Sequence, residues 1–218
     1  FYRHESYTVQ HKQVQVSVSI ENHIMPRVIR EIIQTVVMAL LLFFTVQATI
    51  QNYRVVYASM EPTLQNDDYL LVNKLAYVQI DSARIESLLP FLELDEGKIF
   101  PFQPPQRGDV VVLTPPGSDS LRFVKRIIGM PGETIRIYQG QLYIDDQIIR
   151  ESYIKEEFSG YVSDILVPKG HYFMMGDNRE VSNDSRAWGP IPINDILGKA
   201  WVAYWPFPIS IIKRGDAE

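Results

Sequence analysis

The sequence predicts a mainly β protein behind a single N-terminal transmembrane helix. Three observations carry this. The run from Ile32 to Ile50 contains no charged residue, and about 20 apolar residues span a hydrocarbon core as a helix. After residue 54 there is hardly any helical period. Instead, short stretches rich in Val, Ile and Tyr alternate with Gly/Pro turns, the pattern of a β-barrel or sandwich.

Composition narrows the chemistry. The chain has 218 residues, 46% hydrophobic and 22% charged, with a net charge of −5. That is enough for one ordinary domain plus an anchor. No basic run of nucleic-acid type occurs, so a nucleic-acid partner is discounted. With no cysteine, disulfides, thiol nucleophiles and Cys-ligated metals are excluded. His4, His11, His23 and His171 lie in no metal-ligand spacing, so neither a metal nor a His-based triad is expected. No cofactor is expected either.

Residues 1–31 read as a cytoplasmic tail. The sequence opens on Phe1, and Met25 is a candidate start. Val14, Val16 and Val18 alternate with polar residues, which allows a short strand, but a disordered or non-native tail is the favoured reading for the residues before Met25. The transmembrane helix is placed at 32–51. Arg27 and Arg30 precede it and only Arg54 follows closely, so the N-terminus is expected in the cytoplasm and residues 52–218 outside.

Beyond the anchor, Asn66-Asp67-Asp68 signals a turn before a strand at Tyr69–Lys74. Residues 88–92 and 99–102 are apolar patches broken by proline. Strands are expected at Gly108–Leu113 and Leu121–Ile128. Thr134–Tyr138 and Gln141–Ile144 flank Gln139-Gly140 as a hairpin, and Gln147–Ile149 continues the meander. The aromatic run Trp201–Phe207 is either core or a surface that dips into the bilayer interface.

Ser59 stands just outside the anchor, in Tyr57-Ala58-Ser59-Met60-Glu61-Pro62-Thr63-Leu64. Alone it is a nucleophile or an ordinary loop serine. Lys125 lies in Arg122-Phe123-Val124-Lys125-Arg126-Ile127-Ile128. Alternation puts Phe123, Lys125 and Ile127 on one strand face. Burial there would favour the neutral amine, a usable base; on an edge strand the same lysine would snorkel to solvent. The polar loop from Gly176 to Pro190 allows Asp184 and Arg186 to pair, with Ser182 able to bond a neighbouring amine.

Together, Ser59-Met-Glu-Pro-Thr-Leu64, Arg122–Glu133 and Gly176-Asp-Asn-Arg…Ser182-Asn-Asp-Ser-Arg-Ala-Trp-Gly-Pro190 closely resemble the boxes of type I signal peptidases, of the bacterial and chloroplast kind with one anchor. Tyr69–Lys74 and Gly108–Val111 match two intervening boxes. The resemblance runs from Ile32 to about Trp205 in the family's order. It implies an all-β catalytic core with a β-ribbon insertion, here short, at about 134–171. It also implies a Ser59/Lys125 dyad, with Ser182 orienting the lysine and Asp184 and Arg186 holding the loop. Implied partners are preprotein signal peptides with small residues at −3 and −1, the lipid bilayer, and the export translocon by association. The implied location is the plasma (inner) or thylakoid membrane.

One position departs. Many bacterial members carry a serine two residues before the nucleophile, whose hydroxyl serves the oxyanion hole. Here it is Tyr57. Either a phenol acts from a different geometry, or the enzyme is slow, or its specificity differs. Two rival readings are a Ser/Lys autoprotease of the repressor-cleaving type, disfavoured by the anchor and the Gly-Asp-Asn-Arg box, and a membrane-anchored β-barrel binding module, which Tyr57 favours.

Overall fold

Alternation of apolar and polar residues sets the architecture. In the computed structural model, which describes residues 5–88, 91, 98–156, 158–206 and 208–215, short apolar runs beyond the N-terminal helix become strands. The chain divides between Ala48 and Thr49.

The first unit is formed by helix α1, Glu5–Thr49, up to Ala48. Its segment Arg27–Thr49, 23 residues, is long and apolar enough to cross a membrane. Ile32, Met38, Leu42 and Phe44 are all more than half exposed. Two expectations are corrected. Residues 14–18 are helical, where a disordered tail or strand was expected. The helix stops at Thr49 instead of running to 51, because Ile50 and Gln51 join strand β1.

The second unit is built in order from β1 (Ile50–Arg54), β2 (Tyr69–Asn73), β3 (Ile80–Asp81), α2 (Ser82–Leu88), β4 (Lys98–Ile99), β5 (Val110–Leu113) and β6 (Phe123–Gly129). Then come β7 (Thr134–Tyr138), β8 (Gln141–Ile144), β9 (Gln147–Ile149), β10 (Val162–Leu166), β11 (His171–Met175) and α3 (Ser185–Trp188). The chain closes with β12 (Ile191–Pro192), a 3-10 turn at Ile193–Asp195, β13 (Ile196–Trp205) and β14 (Ser210–Ile211). The main sheet has eight strands in the order β1-β2-β13-β5-β6-β11-β12, with β14 on β13. Its pairings are antiparallel.

Strand β5 is buried on both faces, and its residues alternate between two cores. Val110 and Val112 pack with Met60, Leu64, Leu70 and Val72. Val111 and Leu113 pack with Tyr77, Ile127 and Met174. A second sheet, β10-β7-β8-β9, has four strands over a third core that includes Ile135, Ile137, Leu142 and Ile144. The insertion anticipated at 134–171 is thus a small sheet spanning Thr134–Leu166, and His171 already belongs to the main sheet. The hairpin turn has Gln139 and Gly140 at φ 49 and 82, the left-handed pair that suits the twist of flanking strands. The patch at 99–102 contributes only β4, which pairs Ile99 with Ile80. Most of the patch at 88–92, and Phe207, lie outside the described residues.

Candidate active site

Ser59 lies in the turn between β1 and β2. The turn is closed by Leu64 N–H donating to the Met60 carbonyl at 2.9 Å. Met60 and Leu64 plug it into the core, both fully buried. Ser59 is thereby fixed at the lip of the sheet.

Lys125 approaches from the middle of β6, with Val111 as its cross-strand neighbour on β5. Its side chain is 3% exposed. The reading in which it snorkels to solvent is thus not what the strand does. Nζ donates to Ser59 Oγ at 2.8 Å, and the ammonium lies 5.3 Å from the Phe123 ring centroid. Burial pulls the Lys125 pKa from 10.5 down to about 8, against the opposing charges of Asp184 and Asp177 and with help from Arg186. A buried amine loses hydration of its charged form, so the neutral base is accessible near physiological pH.

The third part of the site is the loop after β11. Asp184 caps α3 by accepting from Arg186 N–H and also accepts from Gly176 N–H at 3.0 Å. Arg186 Nε and Nη2 each reach Asp184 at 2.8 Å, and Nη2 also donates to the Arg179 carbonyl at 2.7 Å. Gly176 is required by close approach: a Cβ there would lie 2.3 Å from both the Ser59 carbonyl oxygen and Ser182 Oγ. Asn178 N–H donates to that same Ser59 carbonyl at 3.1 Å. Ser182 Oγ is buried and has no hydrogen-bond partner among the described residues. It is therefore beside the site, without the bond to the lysine amine that was anticipated for it.

Sequence reasoning left out the clamp beneath Ser59 and Lys125. Arg126, the residue after the lysine, faces the opposite way and is 1% exposed. Its Nε and Nη2 hold the two Asp177 oxygens at 2.8 and 2.6 Å. Nη1 donates to the Gly108 carbonyl at 2.8 Å, and the guanidinium stacks 4.1 Å over Tyr153. Thr63 Oγ1 donates to Asp177 at 2.5 Å. The serine turn, the lysine strand and the Gly-Asp-Asn loop are thus joined at one buried charge pair. The signal was present, since Thr63, Arg126 and Asp177 all sit inside motifs singled out for other residues.

Two cavities of about 490 and 650 Å³ share Tyr77, and neither is lined by Ser59 or Lys125. A peptide bound extended along a strand edge needs no enclosed pocket. Among the described residues no cluster of His, Cys, Asp and Glu could hold a metal ion.

The family model for "Signal peptidase, peptidase S26" matches residues 29–205. The chain belongs to this family. It is a signal peptidase, a hydrolase of the serine protease class. Probable signal peptidase I-2 of Synechocystis sp. is 33% identical over 86% of this chain and 78% of its own length. Probable signal peptidase I-1 of the same organism is 34% identical, over 82% and 83%. Signal peptidase I of Pseudomonas aeruginosa is 32% identical over 73% of this chain and 66% of its own length.

In this signal peptidase Tyr57 takes a left-handed backbone, φ 81, which costs a non-glycine residue about 1–2 kcal/mol. The conformation is held by Tyr57 N–H donating to Asn66 Oδ1 at 2.8 Å. The residue is 77% exposed, so the phenol faces solvent. Tyr57→Phe is therefore expected to keep turnover within about twofold, where removal of a true oxyanion donor costs on the order of 10²–10³. Steady-state kinetics on a preprotein checks this.

Proposed function

We propose that this signal peptidase is anchored by one transmembrane helix and cleaves preproteins after small residues with a Ser59/Lys125 dyad. The contact that carries the reading is the 2.8 Å hydrogen bond from the buried Lys125 Nζ to the part-buried Ser59 Oγ. Neutral Lys125 takes the Ser59 proton as Oγ attacks the scissile carbonyl. It returns that proton to the leaving amine, which departs and leaves an acyl-serine. Water, deprotonated by the same amine, then attacks the ester, and the amine passes that proton to Ser59 Oγ as the acyl C–Oγ bond breaks. The backbone N–H of Ser59 is the oxyanion donor in this scheme, with Tyr57 contributing backbone shape and no side-chain bond. Asp184 and Arg186 position the loop beside the amine, Arg186 Nη2 also donating to the Ser182 carbonyl at 3.2 Å.

Specificity in this reading follows from the partly buried Tyr53 and Val124, which edge the core that holds the Ser59 turn. An extended peptide would meet shallow apolar depressions that suit alanine and exclude larger side chains by sterics.

The anchor is supported by length and by the internal hydrogen bonds of two of its threonines. A helix of 23 residues is about 34 Å long, against about 30 Å of hydrocarbon. Thr35 and Thr45 donate their hydroxyls to the carbonyls four residues earlier, at 2.9 and 2.7 Å, so neither needs water. In this reading residues 52–218 form the extracytoplasmic peptidase domain, in a plasma or thylakoid membrane, next to the export translocon.

The test is cleavage of a preprotein carrying an Ala-x-Ala site by the detergent-solubilised chain, with the product N-terminus read by mass spectrometry. Cleavage after the second alanine is expected, absent in Ser59→Ala and blocked when that alanine is replaced by phenylalanine. Equal cleavage of the phenylalanine substrate would contradict the specificity, and an active Ser59→Ala would contradict the dyad.

A further inference from the structure

The dyad chemistry leaves the buried side chain of Glu151 unused. Glu151 lies between β9 and β10, two strands of the small sheet. Its side chain and that of Arg179 are each 3% exposed. Both terminal nitrogens of Arg179 reach Glu151, at 2.6 Å each, and the Tyr153 hydroxyl donates to the same carboxylate at 2.6 Å. Burial alone would lower the Arg179 pKa, but the hydrogen bond and charge of Glu151 leave it raised. Such a bidentate, charge-assisted pair fixes direction as well as distance.

What it fixes is the backbone facing the nucleophile. Arg179 Nε donates to the Gly176 carbonyl at 3.0 Å, and Gly176 is the residue whose α-carbon abuts the Ser59 carbonyl and Ser182 Oγ. The Arg179 carbonyl in turn accepts from Arg186, one of the charges that sets the Lys125 environment. Tyr153 closes a second route, because its ring carries the guanidinium of Arg126.

We propose that Glu151 is a positioning residue for catalysis: through Arg179 it sets the Gly176 backbone against Ser59, so that the small sheet braces the dyad. This rests on the Ser59/Lys125 reading. The groups facing the amine are Ser59, the Phe123 ring, Asp177, Asp184 and Arg186, and Glu151 acts only on where the loop bearing the last three sits. A loosened loop admits water to the amine.

The experiment compares wild type, Glu151→Gln and the double variant Glu151→Met/Arg179→Met on one preprotein substrate, with thermal unfolding recorded for each. Replacing a buried ion pair by apolar residues of similar volume commonly preserves the fold, so the double variant separates bracing from folding. The expected result is a fall in kcat of about tenfold to a hundredfold, with KM within about twofold of wild type. The acid limb of kcat/KM should move above its wild-type midpoint in both variants. A folded double variant with wild-type kcat and an unmoved acid limb would overturn the proposal. So would loss of activity in Glu151→Gln that the folded double variant restores. Ser59→Ala, run alongside, keeps the two readings apart: if it still cleaves, the dyad reading fails whatever Glu151 does.

Discussion

Lys125→Met is expected to abolish cleavage and at the same time stabilise the fold. Loss of the base removes general acid–base catalysis, on the order of 10²–10⁴ in rate. The stability gain follows from the amine's displaced pKa. Burial lowers it from 10.5 to about 8, so between these values the unfolded chain holds a proton that the folded chain has released. Stability therefore rises with pH across that window, and the penalty is fully present below pH 8. At pH 7 the folded protein carries a buried ammonium at a cost of up to about 3 kcal/mol. Methionine fills the same space without it, and loses one hydrogen bond to Ser59. A net gain of about 1–3 kcal/mol at pH 7 is expected by urea unfolding, shrinking toward zero near pH 11. An activity-neutral, destabilising substitution would mean that Lys125 is a structural lysine.

The second large effect is at the clamp. Asp177→Ala leaves the Arg126 guanidinium, 1% exposed, without its carboxylate. An uncompensated buried charge costs about 3–5 kcal/mol. The same substitution releases Thr63 from Asp177 and disturbs the neighbouring Asn178 contact to the Ser59 carbonyl. Unfolding in denaturant should show that loss, and the folded fraction should turn over slowly. Arg126→Met combined with Asp177→Leu should recover most of the stability, since no charge is then stranded, and little of the activity, since the turn and the loop are no longer joined. Recovery of both would make the pair a matter of folding alone.

Where the sequence was readable, the physics was local. The alternation of Phe123, Lys125 and Ile127 predicts a lysine pointing between apolar neighbours, and strand β6 puts it there. Gln139-Gly140 predicts a hairpin because few residue pairs accept its backbone angles. The charge-free run predicts a helix, although its end at Thr49 depends on the pairing of Ile50 with Asn73, a contact made across the sheet. The alternating valines before Met25 allow a strand, with a disordered tail as the favoured reading, and are helical, because alternation over a few residues without a partner strand decides nothing.

Long-range contacts were not readable. Glu151 and Arg179 lie 28 residues apart, and nothing in either neighbourhood marks them as partners. Asp177 and Thr63 stood inside recognised motifs, but which charge each would meet depends on how the sheet brings three separate segments together. Ser182 shows the converse. Its motif assigned it a bond to the lysine, whereas its hydroxyl has no hydrogen-bond partner among the described residues. Tyr57 could be flagged as unusual from its type alone, but its left-handed backbone and the Asn66 bond that holds it follow from the turn.

The central claim is that a lysine amine, neutral through burial, activates Ser59. Its most direct test is the pH dependence of kcat/KM on a preprotein substrate, which reports the base of the free enzyme. Activity should rise along an acid limb with a midpoint near 8, the value to which burial brings Lys125. It should be roughly tenfold lower at pH 7 than on the plateau, as one titrating group requires. A profile flat from pH 6 to 10, or one rising only near the ordinary lysine value of 10.5, would contradict it.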